Sequence, residues 1–317
     1  MTASARRPRR KLDGVLLLDK PSGMTSNAAL QAARRLFNAA KAGHTGTLDP
    51  LASGLLPICF GEAAKFSQTL LDADKRYLAE LRLGVRTDTA DAEGAVIARR
   101  PVVVSRQAIE QVLPRFRGDI EQVPPMHSAL KRDGRPLYEL ARQGIEVERA
   151  ARRVRIHGLT LRGLADERVE LEVHCSKGTY VRTLADEIGE ALGCGAHLTG
   201  LRRITIGAFD IGDAVPLERL QSLPADALDR CLLPADALLA ALPRADLDSH
   251  QAADLLQGRA VAMPGAAPGT TWRVYGAGRF LGIARAGGDG FLAPARLIAT
   301  AGRGAANSLE NSAGNPV

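Results

Sequence analysis

Two stretches of strict alternation constrain the fold more than anything else in this chain. Tyr77, Ala79, Leu81 and Leu83 recur at every second position, and so do Val169, Leu171, Val173 and Cys175, with Glu170, Glu172 and His174 between them. A period of two puts alternate side chains on opposite faces of a strand. Each segment therefore has one face in a core and one in solvent, which is the habit of antiparallel sheets. The segment D-G-V-L-L-L-D (13–19) is instead continuously apolar and predicts a strand buried on both sides.

Helical spacing fills the gaps. A helix is predicted from Ser26 to Phe37, capped by Thr25 or Ser26, with Leu30, Ala33 and Phe37 on one face. Others are expected over 62–73 (Ala63, Phe66, Leu70 and Leu71 inward), over Arg106–Phe116 with Ser105 as cap, and from Thr179 to Leu192, stopped by Gly193. Leu201–Phe209 reads as a further strand. Strands and helices follow one another without regular βαβ alternation. The class expected is α+β, with a mixed, largely antiparallel sheet flanked by helices.

After Pro216 the chain turns to short Leu/Ala/Asp-rich helices. From Asp246 a small unit begins, with a helix at Gln251–Gln257 and short strands near Arg273–Tyr275, Phe280–Ala284 and Phe291–Leu297 separated by glycine turns. The division expected is a disordered basic arm (1–11), a main domain (12–245), a small barrel (246–300) and a disordered polar tail (301–317).

Charge and motifs narrow the function. The chain has 317 residues, and Lys plus Arg exceed Asp plus Glu by 42 to 35, a net +7 that favours a polyanionic partner. Basic residues cluster at Lys131, Arg132 and Arg135, at Arg149, Arg152, Arg153 and Arg155, and at Arg202 and Arg203. Four cysteines, at 59, 175, 194 and 231, form no C-x-x-C pair and read as reduced thiols. No apolar run approaches the ~18 residues of a membrane helix, and Val15–Leu18 is too short for a secretion signal, so a cytoplasmic protein is expected. There is no phosphate-loop, H-E-x-x-H or G-x-S-x-G pattern. Gly276, Gly278 and Gly282 fit a hairpin better than a dinucleotide loop. Asp88, Asp91 and Glu93 read as a solvated acidic turn. Chemistry without metal, nucleotide or other cofactor is the expectation.

The most distinctive segment is G-H-T-G-T-L-D-P-L-A-S-G (43–54). On local physics, Asp49 before Pro50 is a turn residue in a glycine-hinged loop. The segment nevertheless resembles the signature of the TruB branch of pseudouridine synthases. L-L-D-K-P-S-G-M-T-S (17–26), D-K-R-Y (74–77), G-D-I-E-Q-V-P-P-M-H-S-A-L-K (118–131), C-S-K-G-T-Y-V-R-T-L (175–184) and G-A-H-L-T-G-L-R-R (195–203) resemble further family motifs, in the family's order. His127 departs from it, standing where close relatives carry Tyr.

The resemblance implies a pseudouridine synthase fold with a PUA-like C-terminal barrel, matched here by L-G-I-A (281–284) and A-P-A-R-L-I (293–298). It implies isomerisation of uridine in the T loop of tRNA, at position 55, by a monomer without cofactor or obligatory protein partner. It makes Asp49 the catalytic nucleophile and Arg182 its arginine partner, with Lys20 beside the cleft. Tyr77 would stack on the flipped base, His44 would fill the space the base leaves, and Tyr180 and Leu201 would line the uridine pocket. The chemistry needs an ionised carboxylate near sugar and base, either to form an adduct or to abstract a sugar proton, and both routes stay open. Other readings are an RNA-binding or RNA-folding protein on the same scaffold, a guide-RNA-dependent synthase and an Asp-dependent nucleoside hydrolase. The Asp49, Tyr77 and Arg182 set argues against the first, and the absence of a second paired acid argues against the last.

Overall fold

A computed structural model describes residues 8–128, 130–132 and 134–299. The main sheet is built on seven longer strands: β1 (Gly14–Lys20), β2 (Ser53–Phe60), β3 (Lys75–Leu83), β4 (Gly118–Gln122), β5 (Arg152–Ala165), β6 (Arg168–Cys175) and β7 (Ala196–Ile206). They run in the order β1-β2-β7-β3-β6-β5-β4. Every neighbouring pair is antiparallel except β2–β7, which meet in parallel through Arg202↔Ser53 and Arg203↔Gly54. The mixed, largely antiparallel sheet expected from the alternating segments is what forms.

The apolar pattern explains the layering. In β1, Leu16 and Leu18 enter one core while Val15 and Leu17 enter another on the opposite face. The uninterrupted V-L-L-L run is thus used on both sides. In β3 and β6 only one face is buried. Tyr77, Ala79, Leu81 and Leu83 join Leu171, Val173 and Cys175 beneath the helices α1 (Ser26–Leu36) and α2 (Val181–Ala191). Burying Val181, Leu184 and Ile188 of α2 stabilises this layer by roughly 1.5–3 kcal/mol per side chain. Thr25 caps α1 by accepting a hydrogen bond from the Ala28 N–H, and Gly193 (φ 81°) lies just beyond the end of α2.

Three expectations change in detail. The 62–73 segment is a 3-10 turn (Gly61–Phe66) followed by a short helix (Gln68–Asp72), and the break at Ser67 turns Leu71 outward, 37% exposed. β7 begins five residues before Leu201, because an irregularity between Leu198 and Gly200 interrupts the apolar alternation. The basic arm is anchored at its end: Arg10 pairs its backbone with Asn38 and Ala40 and its guanidinium with Asp229. The rest of the arm (1–7) and the polar tail (301–317) lie outside the described residues.

The C-terminal unit is a separate five-stranded sheet with its own core of Leu247, Leu255, Val274, Leu281 and Leu292. It is seated on the main domain. Arg296 donates to the Lys65 carbonyl, Lys65 Nζ donates to the Leu297 carbonyl, and Phe280 packs edge-on against Phe66.

Candidate active site

The loop carrying Asp49 connects a short strand (Ala42–His44) to β2. It is tied down on several sides. The Thr45 N–H donates to Pro57 O (3.1 Å) and the Gly23 N–H to Pro50 O (2.8 Å). Ser26, at the start of α1, accepts from the Leu48 N–H (2.8 Å) and donates back to Leu48 O (3.0 Å). Leu48 and Thr45 are buried. The Asp49 carboxylate, next to Leu48, is left part-exposed on a rigid support.

Arg182, in the first turn of α2, organises what lies beneath. Its Nε sits 3.0 Å from Asp49 Oδ2, its Nη1 3.1 Å from Asp91 Oδ2, and its Nη2 donates to His127 O at 2.8 Å. The Arg182 and Asp91 side chains are 5% and 3% exposed. Asp91 is locked in turn by the Thr89 hydroxyl (2.6 Å) and the Glu93 N–H (3.0 Å). The result is a carboxylate–guanidinium–carboxylate chain with every remaining Arg182 nitrogen directed at an acceptor. Burial raises the pKa of Asp49 above the ordinary carboxylate value; Arg182 opposes that rise, Asp91 adds to it, and Lys20 opposes it.

The chain opens into a cavity of about 390 Å³. Asp49 and Arg182 form part of its wall together with Tyr77, Tyr180, Leu201 and Arg203. Tyr77 enters from β3. Leu201 and Arg203 enter from the neighbouring β7, with Leu201 opposite Ala79 and Arg203 opposite Tyr77. Tyr180 precedes α2, and Gln122 clasps its backbone at both the N–H (3.0 Å) and the carbonyl (3.3 Å). Leu71, turned out of the core, stands on the same wall, as does Lys75, whose Nζ donates to the carbonyls of Leu70, Leu71 and Ala73.

Five of the residues singled out from the sequence therefore meet on one cavity: Asp49, Tyr77, Tyr180, Arg182 and Leu201. His44 and Lys20 are not on its wall. His44 ends the strand opposite Ile58. Burial and the nearby Arg203 charge lower its pKa, favouring neutral imidazole, and its Nδ1 is buried without a hydrogen-bond partner. Lys20 is fully buried, its Nζ donating to Pro21 O (2.8 Å) and Met24 O (2.6 Å). Burial brings its pKa down to about 8, and Asp49 is close enough to oppose that shift. Among the described residues no group of three or more His, Cys, Asp or Glu is arranged to hold a metal ion.

Sequence reasoning missed Asp91, Arg203 and Lys75 as members of this site. Asp91 is not in a solvated turn. The Thr87–Gly94 segment folds against β7, where the Ala92 N–H donates to Leu198 O and the Leu198 N–H to Ala90 O, and this buries Asp91 against α2. For Lys75 and Arg203 a signal was present. Lys75 lies two residues before Tyr77 and Arg203 two after Leu201, so the strand period places both on the cavity face.

Residues 34–181 match the model for the TruB family pseudouridylate synthase (N terminal domain), residues 182–240 the tRNA pseudouridylate synthase B C-terminal domain, and residues 243–298 the pseudouridine synthase II TruB C-terminal model. The tRNA pseudouridine synthase B of Aromatoleum aromaticum is 61% identical over 295 residues, 93% of this chain and 96% of its own. That of Burkholderia pseudomallei is 56% identical over 310 residues, 95% and 99% of the two chains. Among solved structures, a chain in the crystal structure of a Cbf5-Nop10-Gar1 complex superposes with a TM-score of 0.66 at 27% identity, covering 86% of this chain and 78% of the other. With nearly its whole length matched, this chain belongs to the TruB family of pseudouridylate synthases.

Proposed function

We propose that this protein converts uridine to pseudouridine at position 55 in the T loop of tRNA, with Asp49 as the catalytic carboxylate. The observation that carries the reading is the pairing of Asp49 with a buried Arg182 at the edge of a cavity walled by Tyr77, Tyr180 and Leu201. A stacked base cannot reach such a site, so the target uridine must leave its loop and enter the cavity. Tyr77 offers an aromatic face to the extruded base, and Tyr180 and Leu201 close the pocket around it. His44, neutral and beside the Asp49 loop, fills the space the base vacates.

The isomerisation breaks the N1–C1′ bond and forms a C5–C1′ bond. The hydrogen on C5 leaves to solvent and N1 takes up a proton, so no atom is gained or lost and no cofactor is required. The protein's part is an ionised carboxylate held at the sugar and base. Arg182 orients it, and Lys20 adds positive charge from behind. The exposed Lys131, Arg132 and Arg135 loop supplies phosphate contacts. The protein acts as a monomer without an obligatory protein partner, in the cytoplasm with its tRNA substrate.

The test is release of tritium from uridine labelled at C5 in a T-arm RNA, using purified protein with no added factor. Wild-type protein releases tritium at the stoichiometry of the target uridine. Asp49→Asn binds the RNA and releases none. Binding without release by the wild type would return the chain to an RNA-binding role, and release only on adding another protein would end the stand-alone reading.

A further inference from the structure

Arg203 is among the largest side chains buried almost completely in the described residues, at 1% exposure. It has no carboxylate partner among the ion pairs of the described residues, whereas Arg182 nearby has two. A buried guanidinium without a counter-charge is costly and persists only where its donors are well used. Here two of its nitrogens are spent on backbone. Nε donates to Leu55 O at 2.7 Å and Nη2 to Gly46 O at 3.1 Å. Gly46 (φ 82°) lies three residues before Asp49, and Leu55 stands where β2 begins, on the other side of the same loop. One planar fork therefore spans the two ends of the segment that presents Asp49.

The backbone of Arg203 sits at a junction. On one side it pairs with Gly54 of β2 and on the other with Tyr77 of β3. The approach to β2 is so close that a Cβ on Gly54 would come within 2.3 Å of the Arg203 carbonyl oxygen. Because Arg203 and Tyr77 are cross-strand partners, their side chains leave the sheet on the same face, and both reach the cavity wall.

We propose that Arg203 is a positioning residue that sets the distance between the Asp49 carboxylate and the base-stacking face of Tyr77. It ties the Asp49 loop, through Gly46 and Leu55, to the strand position that faces Tyr77. The two groups that must meet the same nucleotide from different sides are thereby referred to one rigid side chain. This rests on Asp49 being the reacting carboxylate.

The experiment compares Arg203→Met and Arg203→Lys with wild type in T-arm RNA binding, thermal melting and single-turnover tritium release. Arg203 contributes almost no surface to RNA, so its removal leaves the Kd within about threefold of wild type. Misplacing Asp49 by a fraction of an ångström to an ångström slows the Met variant on the order of 100-fold. Lys can still donate to at least one of the two carbonyls, so Arg203→Lys recovers about tenfold of that loss. A purely structural role would lower rate and binding together, in proportion to the unfolded fraction, and that result overturns the proposal. So does a folded Met variant of normal rate, or a Lys variant no better than Met.

If the Met variant does not fold, Gly46→Ala disturbs the same contact from the loop side, since its Cβ would lie 3.3 Å from Arg203 Nη1. It is expected to release tritium about tenfold more slowly with an unchanged Kd, and a normal rate overturns the proposal. Asp49→Asn is run in parallel. Its retention of activity would refute the role of Asp49 itself, whereas an inert Asp49→Asn beside a normal Arg203→Met would refute only the positioning role.

Discussion

Removing the charge of Asp91 tests the ion-pair chain without touching the cavity wall. The Arg182 Nη1–Asp91 Oδ2 distance is 3.1 Å with both side chains buried. At an effective dielectric constant of about 20, two unit charges at that separation attract by roughly 5 kcal/mol. Desolvation offsets much of this in the intact pair, but deleting one partner strands the other, and Asp91→Ala is expected to cost ~3–5 kcal/mol of stability. The Thr89 hydroxyl and Glu93 N–H lose their acceptor as well, at about 1 kcal/mol each. Asp91→Asn keeps an acceptor oxygen and loses only the charge, so about half the penalty is expected, measured as the loss of unfolding free energy in denaturant. In tritium release, either variant leaves Arg182 beside Asp49 but loosens its aim, and a fall of about 100-fold or more is expected. The pH profile carries a further sign. In the proposed role Asp49 acts ionised, so activity rises as pH passes upward through its pKa, and the neighbouring Asp91 charge holds that pKa up. Removing the charge lets Asp49 ionise at lower pH, and the acid limb of the Asp91→Asn profile moves down. An Asp91→Asn protein with wild-type stability and rate, or an acid limb displaced upward, would refute the reasoning.

Three further outcomes can be checked. Lys20 lowers the Asp49 pKa from its buried position, so Lys20→Met is expected to move the acid limb of the rate profile up, the opposite of Asp91→Asn. Burial pushes the Cys59 and Cys175 thiols up to about 12, whereas Cys231 is part-exposed; mass spectrometry after brief alkylation of native protein should find Cys231 labelled and those two intact. Gly54→Ala brings a Cβ into the Arg203 backbone at a φ of 100°, and a stability loss of at least about 2 kcal/mol is expected from its denaturant midpoint.

The legible parts of this fold are those where one period dominates locally. β3 and β6 show the buried–exposed alternation their sequences predict, and β1 uses its continuous apolar run on both faces. The caps at Thr25 and Ser105 are local hydrogen bonds and were equally readable. The 62–73 segment failed for a tertiary reason. Helical spacing there is adequate, but the helix breaks at Ser67 and Leu71 leaves the core for the cavity wall, where Lys75 Nζ takes the carbonyls of Leu70, Leu71 and Ala73. No pattern within the segment announces a lysine beyond its end.

The site divides along the same line. Asp49 looked like a turn residue because its neighbours are Gly and Pro, and its turn-like loop is real: the Ala52 N–H donates to the Asp49 carbonyl. What sets it apart is an arginine 133 positions later and, through that arginine, an acid 42 positions later. Asp91 was misread because an acidic cluster in a polar turn is solvated unless something covers it, and the cover is β7, more than a hundred residues on. Reading the strand period without exempting charged residues would have recovered part of this. It places Lys75 and Arg203 on the inner face beside Tyr77 and Leu201, and a cation forced inward by a strand's period is expensive enough to need a use. In this protein that use is the binding of backbone carbonyls that shape the cavity.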